Sequence, residues 1–241
     1  MAKKKEISTL ETKENKIDGM TLVLIPSGEF MMGASQTDSL AAKNEKPQVK
    51  VVISKSYWMT TTPITQKAIA TVLGKDFVRS SFDGDRYPAT DLSLEEIFKY
   101  CDKVGGRLPT EAEWEWAARA GTEESRPAKP KDFGWFNKNA KELQQVAMKK
   151  PNAWGLYDMM GNIVEFTSTP WSFELQGGID PGIGDRNIEI ERTSRSGSYF
   201  NAENMMSATS RGGCTNQNKV PEQGKPWTIQ NTRGFRYVVS T

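Results

Sequence analysis

Apolar residues in the first third of the chain form short groups that predict β-strands. Such groups lie at residues 20–25, 30–32 and 57–59, with polar or turn residues between them. Residues 48–53 alternate between polar and apolar positions. Because successive side chains of a strand point to opposite faces, this alternation predicts a half-buried strand.

Three segments carry the signals that start helices. Thr65 is placed to cap a helix over about residues 66–73. Ser93 and Thr110 each stand three positions before a glutamate. This spacing forms a capping box, in which the two side chains satisfy each other's free backbone N–H groups. The sequence therefore predicts three helices, the second of them over residues 94–104.

The second half of the chain lacks helical periodicity. Residues 122–241 hold most of the glycines, and their apolar pieces are short and separated by turn residues. This pattern favours irregular loops packed on a small scaffold. Residues 1–18 are polar and have no face to bury. We therefore expect a flexible arm at residues 1–18 and a single domain over residues 19–241.

The composition excludes much common enzyme chemistry. The 241 residues contain no histidine, which excludes Ser-His-Asp and Cys-His catalysis and histidine-ligated zinc or iron. The two cysteines, Cys101 and Cys214, are too few for a disulfide framework. Cys101 falls on the apolar stripe of the second predicted helix, so we expect it in the core.

Charge and hydropathy bear on partners and location. The chain has 32 Lys and Arg against 30 Asp and Glu, a net charge of +2, so we expect no nucleic-acid partner. No apolar run approaches the ~20 residues that span a bilayer, and we expect no membrane insertion. The basic start is not followed by an apolar stretch, which predicts no signal peptide. The expected location is the cytoplasm or a phage-like particle.

Four sequence strings, in this order and spacing, resemble the formylglycine-generating enzyme (sulfatase-modifying factor) family. The resemblance covers about residues 20–239. It implies an α+β, C-type-lectin-like fold with little regular secondary structure and long packed loops. The strings are LIPSGEFMMG at 24–33, GGRLPTEAEWEWAAR at 105–119, PNAWGLYDMMGNIVE at 151–165, and RSGSY at 195–199 followed by GFR at 234–236.

The resemblance also implies where catalysis would take place. The enzyme that gives the family its name oxidises a substrate cysteine with two nearby cysteines, copper and oxygen. Here Asn201 and Met206 stand at the positions of those cysteines. A thiolate is required to hold Cu(I) and to exchange with a substrate thiol, and an amide does neither. We therefore predict no catalytic residue and expect a pseudoenzyme.

Two further branches of the family bear on function. One forms carbon–sulfur bonds with iron held by three histidines, and a chain without histidine is excluded from it. The other is non-catalytic and includes pseudoenzymes and the variable proteins of diversity-generating retroelements, which occur in phage receptor-binding proteins. The resemblance places their recognition loops at residues 199–233 here, a window rich in Asn, Ser, Thr, Gly and Gln. An ordinary polar surface loop would have the same composition.

The preferred interpretation is recognition of a protein or a glycan by these loops, because aromatic side chains anchor a ligand and short amides adapt to it. One alternative is a copper-dependent oxidase of the formylglycine-generating type with Cys214 as a displaced cysteine. Another is a structural subunit of a larger assembly, to which the arm would dock. The candidate ligand-binding residues are Tyr199, Asn201, Glu203, Asn204, Asn216, Gln217, Trp227 and Asn231.

The segment 158–165 aligns with a calcium-binding turn of the family. The resemblance implies side-chain ligands from Asp158 and Glu165 and backbone carbonyl ligands from Gly161 and Ile163. Calcium prefers several such oxygens, and its role here would be structural. In the metal-free alternative, Asn162 and Glu165 hydrogen-bond a buried turn. No cofactor is required in either case.

Charged residues within the shared strings are expected to pair inside the protein. Arg107, Glu113, Arg119 and Arg236 are predicted to form a polar network that braces the loops, since buried charges need partners. Glu115 is expected to be solvated.

Overall fold

The computed structural model shows short helices and small sheets connected by long loops. It describes residues 10–79, 82, 84–127, 129–182, 184–215 and 232–241. Four candidate ligand-binding residues lie outside the described residues, namely Asn216, Gln217, Trp227 and Asn231.

The described residues form eleven strands and three α-helices. The strands are β1 (Thr12–Glu14), β2 (Thr21–Ile25), β3 (Gly28–Met32), β4 (Val49–Ile53), β5 (Tyr57–Thr60), β6 (Val164–Pro170), β7 (Gly178–Ile179), β8 (Arg192–Arg195), β9 (Gly212–Cys214), β10 (Arg233–Gly234) and β11 (Val238–Ser240). The helices are α1 (Gln66–Val72), α2 (Leu94–Val104) and α3 (Glu111–Arg119).

The strands form three sheets. The first has the order β1-β2-β5-β11, so it joins the two ends of the described chain. The second has the order β10-β6-β8-β9, and the third has the order β3-β4-β7. The pairs β10–β6 and β4–β7 are parallel, and the other pairs are antiparallel. The strands predicted from the apolar groups are confirmed as β2 to β5.

The three predicted helices are confirmed together with their caps. The Thr65 hydroxyl accepts a hydrogen bond from the backbone N–H of Ala68 at 3.3 Å. Ser93 begins α2 with a capping box, and Gly105 ends it in the left-handed conformation, with φ of 71°. At Thr110 the second box is complete, because Thr110 N–H donates to the Glu113 carboxylate at 2.8 Å. These local bonds fix where each helix begins.

The core lies between the helices and all three sheets. Tyr100 and Cys101 of α2 are fully buried. The Tyr100 ring meets Phe235 edge-on, with ring centroids 5.5 Å apart. On α3, Trp114 is fully buried in a second apolar cluster with strand residues such as Val51. The prediction that Cys101 is a core residue is confirmed.

The boundary expected at residue 19 differs from the structure. Residues 12–14 form β1, which pairs with β2. Asp18 is buried, and its carboxylate accepts a hydrogen bond from the Tyr100 hydroxyl at 2.6 Å. The polar pattern hid this order, because an edge strand needs no apolar face and Asp18 is held by a hydrogen bond. Residues 1–9 of the expected arm lie outside the described residues.

Ion pairs brace the loops, as predicted, and one of them, Arg236–Glu165, is fully buried. Arg107 pairs with Glu113 at 2.6 Å, and Arg236 pairs with Glu165 at 2.7 Å. The expectation that Glu115 is solvated is wrong. Glu115 is fully buried and accepts from Arg119 at 2.9 Å and from Arg195 at 2.6 Å. The two guanidinium groups supply the partners that a buried carboxylate needs.

Within the part of the chain that the structure describes, no helix has both the length and the apolar character needed to cross a bilayer.

Candidate functional site

Asn201 and Met206, which the sequence resemblance matches to the family's cysteine positions, lie on a tight turn that follows β8. Ser196 and Gly197 begin the turn with φ of 76° and 74°, in the left-handed region. The chain then forms a short 3-10 helix at Glu203–Met205 and returns to the sheet as β9. This path places Asn201 and Met206 next to the second sheet.

Asn201 uses its amide to shape the turn. Its Oδ1 accepts hydrogen bonds from the Ser198 backbone N–H at 2.7 Å and from the Ser198 hydroxyl at 3.1 Å. Its Nδ2 donates to the Met205 sulfur at 3.2 Å. Short polar side chains commonly bond their own backbone in this way. Asn201 therefore has a structural role in the turn.

Met206 is fully buried and serves as packing. Its sulfur lies so close to Gly161 that a Cβ added at this glycine would be 3.0 Å away. A thioether with three rotatable bonds suits such an irregular space. Neither cysteine position therefore offers a thiol or a free ligand atom.

A small cavity of about 180 Å³ adjoins the turn. Asn201, Met205, Cys214 and Arg233 are among its lining residues. Sequence spacing separates Cys214 from the cysteine positions, but the β8–β9 pairing returns it to this cavity. Spacing along the chain gave no signal of this proximity or of the contributions of Met205 and Arg233.

Both thiols in the chain are buried and protonated. Burial raises the pKa of the Cys214 thiol to about 12, although Arg233 partly offsets this. Burial also raises the pKa of Cys101 well above its usual value. Because the thiolate is the reactive and metal-binding form, neither cysteine is prepared for redox chemistry.

The outer side of the turn presents an exposed surface, which we call the display surface and define as Phe200, Glu203, Asn204 and Met205. Phe200 is 39% exposed and Met205 is 38% exposed. Asn204 is exposed, and Glu203 is half-buried and pairs with Lys138 at 2.9 Å. Apolar and hydrogen-bonding groups therefore stand side by side here.

Tyr199 was expected to contact a ligand, but its side chain is buried. It is only 4% exposed and packs with Ala140, Leu143 and Ile163. Its ring stacks on Phe200, with centroids 4.3 Å apart. The sequence predicted an aromatic contact at Tyr199. Packing buries Tyr199, and the neighbouring Phe200 is the aromatic residue at the surface.

The loop that carries the display surface is held by hydrogen bonds to Ser125 and Arg126, which follow α3. Arg126 donates from Nε to the Asn204 carbonyl at 3.3 Å, and its guanidinium also pairs with Asp38. The Ser207 hydroxyl donates to the Ser125 carbonyl at 3.1 Å. These bonds hold the loop in place from the segment that follows α3.

The four groups expected to hold calcium do not fit a metal site together. The Glu165 carboxylate accepts two bonds from Arg236, at 2.7 and 2.8 Å, and a third from the Trp114 indole at 2.7 Å. The Gly161 carbonyl accepts from the Ser196 hydroxyl at 3.1 Å. A carboxylate saturated by a guanidinium has no strong affinity left for a hard cation.

The hydrogen bonds match the metal-free alternative. Asn162 accepts from the Gln144 backbone N–H and donates to the Gln144 carbonyl, both at 3.0 Å. Asp158 accepts from the Ala147 N–H at 2.8 Å, and burial raises its pKa to about 6. Among the described residues, no group of three or more His, Cys, Asp or Glu side chains is placed to hold a metal.

Known proteins share this sequence pattern. A mouse formylglycine-generating enzyme is 30% identical over 110 residues, which span 36% of this chain and 28% of that enzyme. A bovine inactive C-alpha-formylglycine-generating enzyme 2 is 25% identical over 258 residues, which span 74% of this chain and 83% of that protein.

Solved structures share the fold. Treponema denticola variable protein 1 superposes with a TM-score of 0.76 at 19% identity, covering 97% of this chain and all of that one. PvdO from Pseudomonas aeruginosa superposes with a TM-score of 0.79 at 18% identity, covering 97% of this chain and 99% of that one. The profile of the sulfatase-modifying factor enzyme 1-like domain matches residues 6–240. The chain therefore belongs to this family and has its C-type-lectin-like fold.

Proposed function

We propose that this chain is a non-catalytic recognition protein, which binds a protein or glycan ligand through the loops at residues 199–233. One observation carries the proposal. Asn201 and Met206, which the resemblance places at the family's two cysteine positions, are both committed to the local structure. Asn201 closes a turn and Met206 fills the core.

The chemistry of the remaining groups supports the loss of catalysis. Copper-dependent thiol oxidation needs thiolates that both bind the metal and exchange with substrate. Cys214 lines the same small cavity as Asn201, but its thiol is buried and its pKa is about 12. A single protonated thiol beside a half-buried amide cannot replace two cysteines that bind copper as thiolates.

The display surface supports the recognition role. Hot spots for binding combine an aromatic or large apolar anchor with groups that exchange hydrogen bonds. Phe200 and Met205 supply the apolar part, and Asn204 with Glu203 supplies the polar part. The anchoring by Arg126 limits the ordering cost that a free loop would pay on binding.

Two relatives are consistent with this proposal. The bovine relative is named an inactive enzyme, and the Treponema protein, which shares the fold, is named a variable protein. We extend the absence of catalysis to this chain as part of the proposal.

The catalytic part of the proposal is tested with a peptide that carries a sulfatase-type cysteine. The purified chain, with copper and oxygen, is expected to leave the cysteine unchanged by mass spectrometry, while an active family member converts it. Formation of formylglycine peptide by this chain would contradict the proposal.

The recognition part is tested by binding of the labelled chain to glycan and protein arrays. The variant Phe200→Ala/Asn204→Ala removes an anchor and an amide from the display surface. The control variant Phe173→Ala/Asn187→Ala removes the same two residue types from exposed positions in the loops before and after β7. We expect the control variant to bind the same ligands as the unaltered chain and the first variant to bind them at least tenfold more weakly. Circular dichroism checks that both variants are folded. Equal binding by both variants would remove the display surface from the proposal.

A further inference from the structure

A larger cavity lies between the end of α3 and the loop at residues 150–160. Its volume is about 520 Å³. Small-molecule sites commonly have volumes of roughly 300–1,000 Å³. It shares no lining residue with the small cavity beside Asn201.

The wall of this cavity is largely apolar. Side chains from the loop and from α3 meet there with one residue of the segment before β9. An apolar wall of this kind holds the hydrocarbon part of a ligand by removing it from water. The apolar lining residues include Ala118, Phe133, Leu156, Met159, Met160 and Ala208.

One lining residue, Asp158, carries an unsatisfied polar atom. The side chain is buried, with the residue 1% exposed. Its Oδ2 accepts from the Ala147 N–H at 2.8 Å, but its Oδ1 has no hydrogen-bond partner. A buried carboxylate oxygen left unpaired costs free energy, so such an atom indicates a partner that is still to be supplied.

The other charges of the cavity favour a cation over an anion. Each of its basic side chains already has an acidic partner: Arg119 pairs with Glu115, Arg126 with Asp38 and Lys150 with Asp132. The rim also carries Glu123 and Glu124, which are exposed and have no ion pair among the described residues. The uncompensated charge that faces a ligand is therefore negative.

We propose that this cavity is a binding site for a small organic ammonium compound. The apolar body lies against Leu156, Met159 and Phe133. The Asp158 side chain, which is buried without a ligand, turns toward the cavity on binding, so that its Oδ1 accepts a hydrogen bond from the ammonium group. A charge-assisted hydrogen bond in a site shielded from water orients the ligand and selects against carboxylates and phosphates.

A hard metal ion fits this place less well. Calcium takes six to eight oxygen ligands. Asp158 supplies one free carboxylate oxygen, and Glu165 is held by Arg236. An ammonium group needs only a few acceptors and brings its own apolar body, which the wall accommodates.

The test uses 2-phenylethylammonium and cyclohexylmethylammonium as probes, with 3-phenylpropionate as the anionic counterpart. Isothermal titration calorimetry measures binding to the full chain. We expect at least one ammonium probe to bind at millimolar concentration or below, and the anion to show no binding. Asp158→Asn is expected to weaken binding at least tenfold, because it replaces the accepting oxygen with an amide.

Asp158→Asn is expected to fold, since Asp158 has φ of 54° and asparagine tolerates this region. Asp76→Asn, at an exposed site, is the matched control and should bind like the unaltered chain. Ala153→Leu narrows the cavity from its exposed rim and should also weaken binding. The proposal is overturned if no ammonium probe binds, if the anion binds equally, if Asp158→Asn leaves affinity unchanged, or if Ca²⁺ competes for the site.

Discussion

Asn201 and Met206 have different structural roles in the turn after β8. Asn201 closes its turn with three hydrogen bonds, and Met206 fills a gap beside Gly161. Replacing either residue with cysteine would therefore remove hydrogen bonds or packing that hold the turn, whether or not copper binding returned. The remaining thiol at this cavity, Cys214, provides the sharpest residue-level test.

Cys214 is expected to be unreactive in the folded chain. With a pKa of about 12, about one thiol in 10,000 is ionised near pH 8. Iodoacetamide should therefore modify Cys214 very slowly in the native protein, and mass spectrometry identifies the labelled peptide. In guanidinium chloride, where the thiol is solvated, labelling should proceed at the rate of an ordinary cysteine. Rapid native labelling of Cys214 would show an accessible thiolate and would revive the displaced-cysteine alternative.

The sequence identified the segment of the candidate site, but it did not predict which side chains of that segment are buried. Tyr199 and Phe200 are adjacent aromatic residues, and packing against Ala140, Leu143 and Ile163 buries Tyr199 rather than Phe200. Glu115 has no local pattern that separates it from a solvated glutamate, because its partner Arg195 lies far along the chain. Information of this kind is held in long-range contacts.

Elements were predictable where their signals are local. The capping residues Ser93 and Thr110 lie within three residues of their partners, so the starts of α2 and α3 were predicted correctly. Strand β1 has no such signal, because its order depends on pairing with β2. The buried ion pair between β6 and the segment before β11 also depends on distant residues, and it has a measurable role.

Arg236→Met should destabilise the fold by about 3–5 kcal/mol, because it leaves the Glu165 carboxylate buried without its guanidinium. Urea denaturation measures this cost. The matched control is Arg186→Met, which breaks an equally bidentate pair with Asp102 that is more than half exposed. Its cost should be about 0–1 kcal/mol. Similar losses in the two variants would contradict a bracing role for the buried pair.

At the scale of the whole molecule, Glu115 connects parts that are distant in the chain. Glu115 lies on α3, and its carboxylate accepts hydrogen bonds from three donors. These are Arg119 on the same helix, Arg195 on β8 and the Gly33 backbone N–H, the last at 2.7 Å. Burial alone would raise the pKa of Glu115, but the two guanidinium groups outweigh it and hold the pKa below its usual value. The ionised carboxylate is thus the form that stabilises the assembled fold.

This linkage gives a pH dependence with a definite sign. A carboxyl group whose pKa is lower in the folded state stabilises the fold above its unfolded pKa, which for Glu115 is near the usual 4.5. That contribution is lost as the pH falls through the folded pKa. Glu115→Gln cannot be ionised, so the unaltered chain should be more stable near neutral pH, and the difference in unfolding free energy should shrink below about pH 4.5.

Denaturant unfolding of both proteins between neutral and acidic pH measures this difference. Glu123→Gln, at an exposed glutamate beside α3, is the control and should follow the unaltered chain at every pH. A difference for Glu115→Gln that stays constant down to acidic pH would mean that its charge contributes nothing and that the loss is one of packing. A difference that narrows only for Glu115→Gln assigns to this carboxylate the electrostatic connection between α3, β8 and the end of β3.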